Sequence, residues 1–446
     1  MEKSINLLED DIKKALLRMS IPLAFTAFIQ MAYNLIDMAW IGRIGTNAVA
    51  AVGTMSILSW ICNALSLIAK TGMGVYSSQS YGRGDKDKTS MIYQNGYILG
   101  VVMALIFSSV VYIIKDKYIG FYNLGSDVES LANEYIKILN IGYIFVFLNP
   151  LFSQSYNSLG DSKTPFLINS IGLIFNIILD PILIFGYLGF KPLGIRGAAI
   201  ATVLSQSLVS IILIFSILNS KDVIRNSLRK FYVDIKWISR IFKLGLPTAL
   251  ISSIHAFVTI ILNKYMAGFG PKPVAVYSIG SQIESITWMT TEGIQVAIAA
   301  LVAQNFGASL YDRVQKSIKE GIKLAFFIGL FATLVLFIFR NGLFKIFVPN
   351  DAEAIRLGGI YLAILSLSQI MAAIEIASTG AFNGLSDTKT PFYISATFNL
   401  LRIPLSKILI GFIGVYGVWA SMTISSNLKG LIELILLRKK SKRIFK

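Results

Sequence analysis

Two aspartates stand where a membrane chain can least easily hold a charge. Asp37 lies in "YNLIDMAW" and Asp180 in "FNIILDPILIFG". An ionised carboxylate in hydrocarbon is costly, so a residue of this kind points to function. Asn176 precedes Asp180 by four residues, which puts both on one helical face. Pro181 follows directly, and because it has no N–H it frees a backbone carbonyl near the carboxylate. This oxygen-rich set suits two kinds of chemistry. A close pair of poorly solvated carboxylates can take up and release a proton. Hard oxygen ligands from Asp, Asn and Thr can instead hold sodium, by the logic that governs calcium and magnesium. Either way, discharging the site changes its hydrogen bonding and can bias two conformations.

Other ionisable groups fall in or near apolar runs: Glu284 in "SQIESITWM", Glu292, Glu375 in "MAAIEIASTGAF", His255 and Arg402 in "NLLRIPL". Glu284 is expected to line a cavity and attract cationic substrates. His255 is the only histidine, and a proton relay there competes with a hydrogen-bonded packing role. Arg402 is expected to compensate a carboxylate of its own half or to bind carbonyls, with Glu375 as its expected partner. Lys70 and Lys407 can snorkel to an interface.

The elements that must position these groups are membrane helices. Hydrophobic residues make up 54% of the 446 and charged residues only 15%, with a mean hydropathy of +0.66. Soluble domains carry about 25% charge, so this chain resides in a lipid bilayer. Cys62 cannot form an internal disulfide, having no partner, and reads as a small buried hydrophobe. The net charge of +17 does not signal nucleic acid, because the basic residues lie in short clusters between long apolar runs. The start reads as a charged, amphipathic segment without a cleavable signal.

About twelve apolar segments are long enough to cross the roughly 30 Å core as helices. Their centres fall near 29, 63, 103, 142, 176, 206, 253, 288, 328, 369, 401 and 425. Lys and Arg concentrate in the two tails and in the loops near 85, 160, 230, 313 and 387, and thin out in the alternate loops. By the positive-inside rule both termini are cytoplasmic.

The chain also repeats itself. "NSLGDSKTPF" (Asn157 to Phe166) returns as "NGLSDTKTPF" (Asn383 to Phe392), with seven of ten positions identical. At nearly the same spacing Pro22 pairs with Pro247, Gln79 with Gln304, Gly82 with Gly307 and Gly96 with Gly321. The expected fold is therefore an all-α integral membrane protein of two parallel-repeat six-helix bundles. Residues 1–218 form the N-terminal lobe, 219–243 a basic cytoplasmic linker and 244–446 the C-terminal lobe with its basic tail. Such halves suit alternating access by rocking. The Asp161/Lys163 and Asp387/Lys389 loops are expected to cap helices or tether the cytoplasmic gate. The acids are not repeated: Asp37 pairs with Leu262, Asn176 with Arg402 and Asp180 with Ser406. That asymmetry places the function in the N-terminal half.

"QSYG" and "QNFG", the first-helix "NLIDMAWIGRIG" and the paired "DSKTP" and "DTKTP" loops resemble the MATE family of multidrug and toxic compound extrusion transporters. The resemblance spans essentially the whole chain. It implies a cation-coupled antiporter that expels bulky organic compounds, mostly cationic, in exchange for sodium ions or protons, with no other cofactor. It is closer to the DNA-damage-inducible (DinF-like) branch, where the matching residues form a cation site, here Asp37, Asn176, Asp180 and Thr202. Gln30, Tyr33 and Asn149 match positions near the substrate cavity of that lobe. Glu375 matches an acidic position of the NorM-like branch, but the seventh helix here has no matching acid. A first-helix bend is expected near Pro22. The implied location is the bacterial or archaeal cytoplasmic membrane.

Two other readings compete. A lipid or lipid-linked oligosaccharide flippase of the same superfamily would share the fold but need a cationic cavity. A membrane enzyme would need a catalytic signature, and the sequence carries no HExxH, no Gly-x-Ser-x-Gly, no Walker A loop and no metal-spaced Cys/His cluster. The expected partners are organic substrates and the bilayer, with no nucleic acid and no obligate protein.

Overall fold

The computed structural model describes residues 5–220, 223–229 and 232–444. Lys221, Asp222, Lys230 and Phe231 of the expected linker lie outside the described residues. The apolar runs fold into fifteen α-helices among the described residues. They are α1 (Ile12–Gly42), α2 (Thr46–Gly82), α3 (Lys86–Phe121), α4 (Ser126–Ser158), α5 (Lys163–Phe185), α6 (Ile195–Asn219), α7 (Val223–Arg229), α8 (Ile235–Ala267), α9 (Pro271–Gly307), α10 (Tyr311–Ile338), α11 (Arg340–Phe347), α12 (Ala352–Ser366), α13 (Gln369–Gly384), α14 (Lys389–Ile413) and α15 (Tyr416–Ile444).

Among the described residues, eleven helices are long and apolar enough to cross a membrane. Helices α12 and α13 pass the same test only together, as a pair bent by 50° at Leu367–Ser368. Carbonyls at the break find donors from neighbouring helices, as a bilayer demands. Thr333 donates to the Ser366 carbonyl at 2.9 Å and Thr423 to that of Ile364 at 2.9 Å. Large apolar side chains such as Ile106, Ile113, Phe215, Ile260, Phe331 and Phe412 are left exposed on the outer faces. Cys62 is buried.

Two compact units emerge, one of Phe25–Ala249 and the other of Met1–Ala24 with Leu250–Lys446. The division runs inside α1 and α8, just after Pro22 and Pro247. A proline inside a helix removes a backbone hydrogen bond and weakens that turn. Each helix thus starts in one unit and ends in the other.

The same contact fastens the start of each of these helices. In the unit of Phe25–Ala249, a Cβ on Gly245 of α8 would lie 1.8 Å from the carbonyl oxygen of Ile68 on α2. In the other unit, a Cβ on Gly293 of α9 would lie 2.9 Å from the carbonyl oxygen of Ser20 on α1. Gly245 is the repeat partner of Ser20 and Gly293 that of Ile68. The close crossing is duplicated, with the glycine on opposite helices of the pair.

The doubled loop is likewise duplicated in geometry. Asp161 accepts from the backbone N–H of Thr164 at 3.0 Å and from its hydroxyl at 2.6 Å. Asp387 does the same with Thr390, at 3.0 and 2.7 Å. Both aspartates cap the first turn of the helix that follows. Asp387 also pairs with Lys440 of α15.

Candidate functional site

Three helices bring the predicted cation residues together inside the unit of Phe25–Ala249. Asp37 comes from the second part of α1, Asn176 and Asp180 from α5 and Thr202 from α6. The i,i+4 spacing on α5 lets Asn176 donate to Asp180 Oδ1 at 3.2 Å. Thr202 shares its hydroxyl between Asp37 Oδ2 at 3.1 Å and the Ala198 carbonyl at 3.0 Å. Asp37 itself lies against Asp180, Thr202 and Asn176. Asn176 and Asp180 are 0% exposed.

What is missing here is donors. Asp37 Oδ1, Asp180 Oδ2 and Asn176 Oδ1 are all buried and accept no hydrogen bond. Two carboxylates in contact, both ionised, repel by about 4 kcal/mol at 4 Å and the effective dielectric of a protein site. Buried acceptors left alone are costly too. Three oxygens facing this problem together are chemically complete only with a proton or a cation among them. The donor set therefore fits either, and Pro181 adds to it by leaving the carbonyl of Ile177 without its helical N–H.

Tyr33, one turn before Asp37, points its hydroxyl at Ser205 and Gln206 of α6 without completing a hydrogen bond to either. Asn149 is buried and donates to the Gln206 side chain at 2.9 Å and backbone carbonyl at 3.0 Å, while Ser210 donates to its oxygen. It ties α4 to α6. Gln30 is exposed on α1. Tyr135 of α4, buried in the field of Asp37 and Asp180, was not singled out by sequence. A tyrosine in an apolar run carries no signal of its own, and only the fold shows which carboxylates it approaches.

The candidates of the other unit separate into two groups. Glu284 of α9 has both oxygens engaged, by the Tyr361 hydroxyl at 2.9 Å and by Gln369 Nε2 at 2.9 Å. It pins α9 to α12 and α13. Glu292 is exposed. His255 lays its ring against Trp288, with centroids 5.4 Å apart.

The expected Arg402–Glu375 pair does not form. Arg402 is buried and donates instead to the hydroxyls of Ser425 at 2.7 Å and Ser426 at 2.9 Å. Glu375 pairs with Lys429 of α15 at 3.0 Å and accepts from Ser395. The reason is geometric: α15 runs between them and offers hydroxyls to one and an ammonium to the other. Lys429 and Glu433 were missed, although "NLKGLIELILL" carries two charges at i,i+4 spacing inside an apolar run. Lys407 is exposed, as a snorkelling lysine should be, and Lys70 half-buried.

A doubled helical membrane scaffold with a buried site of unsatisfied carboxylate and amide oxygens in one half is that of a multi-span transporter. The profile of the MatE family matches residues 22–182 and again 247–408, one match per half. The chain belongs to the MatE family. It is 27% identical to the probable multidrug resistance protein NorM of Thermotoga maritima over 95% of this chain and 92% of that protein. It is 23% identical to the multidrug export protein MepA of Staphylococcus aureus over 95% and 93%. Among solved structures it shares the fold of an outward-facing multidrug resistance MATE family transporter of the MOP superfamily, with a TM-score of 0.90 at 22% identity and full coverage of both chains.

Proposed function

We propose that the protein is a cation-coupled antiporter of the cytoplasmic membrane, exporting organic, mostly cationic compounds by alternating access, with both termini cytoplasmic. The family membership and the multidrug export names of the relatives support the substrate class. One observation carries the coupling: the buried oxygens of Asp37, Asp180 and Asn176 that no donor satisfies.

The physical sequence follows from that group. With a proton or sodium ion bound, Asp37 is held to α5 and α6. With the cation gone, two ionised carboxylates push α1 away. Shifting a two-state equilibrium from 1:99 to 99:1 takes about 5.5 kcal/mol, so a repulsion of about 4 kcal/mol supplies most of what is needed. Pro22 lies at the point where α1 passes from one unit to the other, and a bend there lets the Asp37 segment move while Ile12–Ser20 stays in place. Drug is released as the cation binds in the outward-facing state. The flippase reading draws no support from the buried basic groups, since Arg402 is tied to two serines and Lys429 to Glu375.

The test is ethidium efflux from proteoliposomes with sodium and pH gradients imposed separately. The proposal expects one of the two gradients to drive efflux and thereby to identify the ion. Efflux indifferent to both would overturn it.

A further inference from the structure

The coupling scheme leaves a second buried charge cluster unused. Lys429 and Glu433 stand four residues apart on α15, so they share a face. They are 7% and 0% exposed. Lys429 pairs with Glu375 of α13 at 3.0 Å. Glu433 Oε1 accepts from the Thr379 hydroxyl of α13 at 2.8 Å. Glu433 Oε2 is buried and accepts from nothing.

The repeat shows that the scaffold does not require these charges. A Cβ on Gly197 of α6 would meet the Leu183 carbonyl, and one on Gly417 of α15 would meet that of Leu409, the repeat partner of Leu183. This shared contact aligns α6 with α15. It sets Val209 opposite Lys429 and Leu213 opposite Glu433, while Asn149 is opposite Glu375. Val209 and Leu213 are buried in an apolar core. Packing in this fold is served by Val and Leu, and the other half has put an ion pair and a further acid there.

Charge balance then decides the chemistry. Glu375 and Glu433 both act on this site, and Lys429 is the one cation among the groups bearing on Glu433. On α14, Arg402 lies toward Glu375 but bonds to serines. On α8, His255 lies toward Lys429 and Arg402. On α12, Tyr361 belongs to Glu284. Glu433 is therefore the uncompensated carboxylate, with one open oxygen. A sodium ion asks for several oxygens and would sit beside the Lys429 ammonium, whereas a proton needs only Oε2.

We propose that Glu433 is a proton-exchanging group separate from the Asp37 site, binding a proton at Oε2 and releasing it as Lys429 turns from Glu375 to share its ammonium between both carboxylates. In that step the O–H bond of the carboxyl breaks, the proton leaves to water and the ammonium stays protonated. Its contribution to transport rests on the antiport reading; its protonation does not.

The experiment is infrared difference spectroscopy of the full chain in lipid across a pH change, reading the C=O band of protonated carboxyls. A component of that band is expected to vanish in Glu433→Gln and to persist in Asp37→Asn/Asp180→Asn. A band unchanged by Glu433→Gln overturns the proposal, whatever the transport result. If Glu433→Gln does not fold, Glu375→Asn/Lys429→Val/Glu433→Leu carries the residues of the other half and serves in its place. That variant is also expected to move one proton fewer per substrate in proteoliposomes, and an equal count would contradict the transport role. Wild type that moves no cation with substrate would sink the antiport reading, and the Glu433 band would still decide this one.

Discussion

The two halves share their scaffold contacts and differ in the polar groups they bury. The close crossings Gly245–Ile68 and Ser20–Gly293, the tight turns Gly197–Leu183 and Gly417–Leu409, and the capping aspartates Asp161 and Asp387 recur as pairs. At the chemical positions the likeness stops. Where α5 carries Asn176 and Asp180, α14 carries Arg402 and Ser406. One half presents buried oxygens of Asp37, Asn176 and Asp180 that accept no hydrogen bond. The other has a guanidinium fixed at the corresponding place, bonded to Ser425 and Ser426, and its Ser406 is satisfied by Ser421 at 2.6 Å. Duplication has preserved backbone packing, where a change would break the fold. It has let the buried polar groups diverge, carboxylates beside an amide in one half, and a guanidinium, an ammonium and acids in the other.

The largest effect that would break this comparison is at Asp180. Asp180→Asn is expected to abolish gradient-driven efflux, while Ser406→Ala at the partner position leaves efflux within about twofold and costs about 1 kcal/mol for one lost hydrogen bond. Equal losses in dye-efflux assays would show that the halves are chemically alike.

Next in size come the shared crossings. Gly245→Ala and Gly293→Ala each drive a methyl into backbone, so each should destabilise by about 1–3 kcal/mol or more. Thermal unfolding in detergent checks this. A stable Gly245→Ala protein would mean that the two crossings are not equivalent.

A smaller effect is expected at Thr202. Thr202→Val keeps the shape but removes the hydroxyl that reaches Asp37. A hydrogen bond to a charged group contributes about 1.5–3 kcal/mol, so the coupling ion's half-saturating concentration should move about tenfold or more.

The smallest concerns the loops. Burial would raise the Asp387 carboxyl, but Lys440 and Thr390 outweigh it and hold the group below its usual range. Its anchoring is therefore complete above about pH 4, the usual aspartate value, and is lost as pH falls through the lowered one. Lys440→Ala should move that loss to less acidic pH, read as hydrogen exchange in residues 385–390. No movement would mean that Lys440 is not part of the anchor.

Much of this organisation is legible in the residues. Acids in apolar runs, the i,i+4 pair on α5 and the doubled loop all follow from local chemistry and simple spacing. The family resemblance adds Thr202, which the fold brings to Asp37. Other features depend on which helix lies between which. Arg402 and Glu375 look like natural partners until α15 supplies Ser425, Ser426 and Lys429. Tyr135 carries no signal until α4 is placed beside α1 and α5. The passage of α1 and α8 from one unit to the other is marked only by Pro22 and Pro247, whose meaning needs the contacts on either side.

The central claim is that cation uptake by Asp37 and Asp180 drives the cycle. The most direct measurement compares wild type with Asp37→Asn/Asp180→Asn in proteoliposomes, reading equilibrium dye binding and gradient-driven dye efflux on the same preparations. The account predicts that the variant still binds dye but loses all gradient-driven efflux. Efflux at the wild-type rate from a protein without those two carboxylates would contradict it.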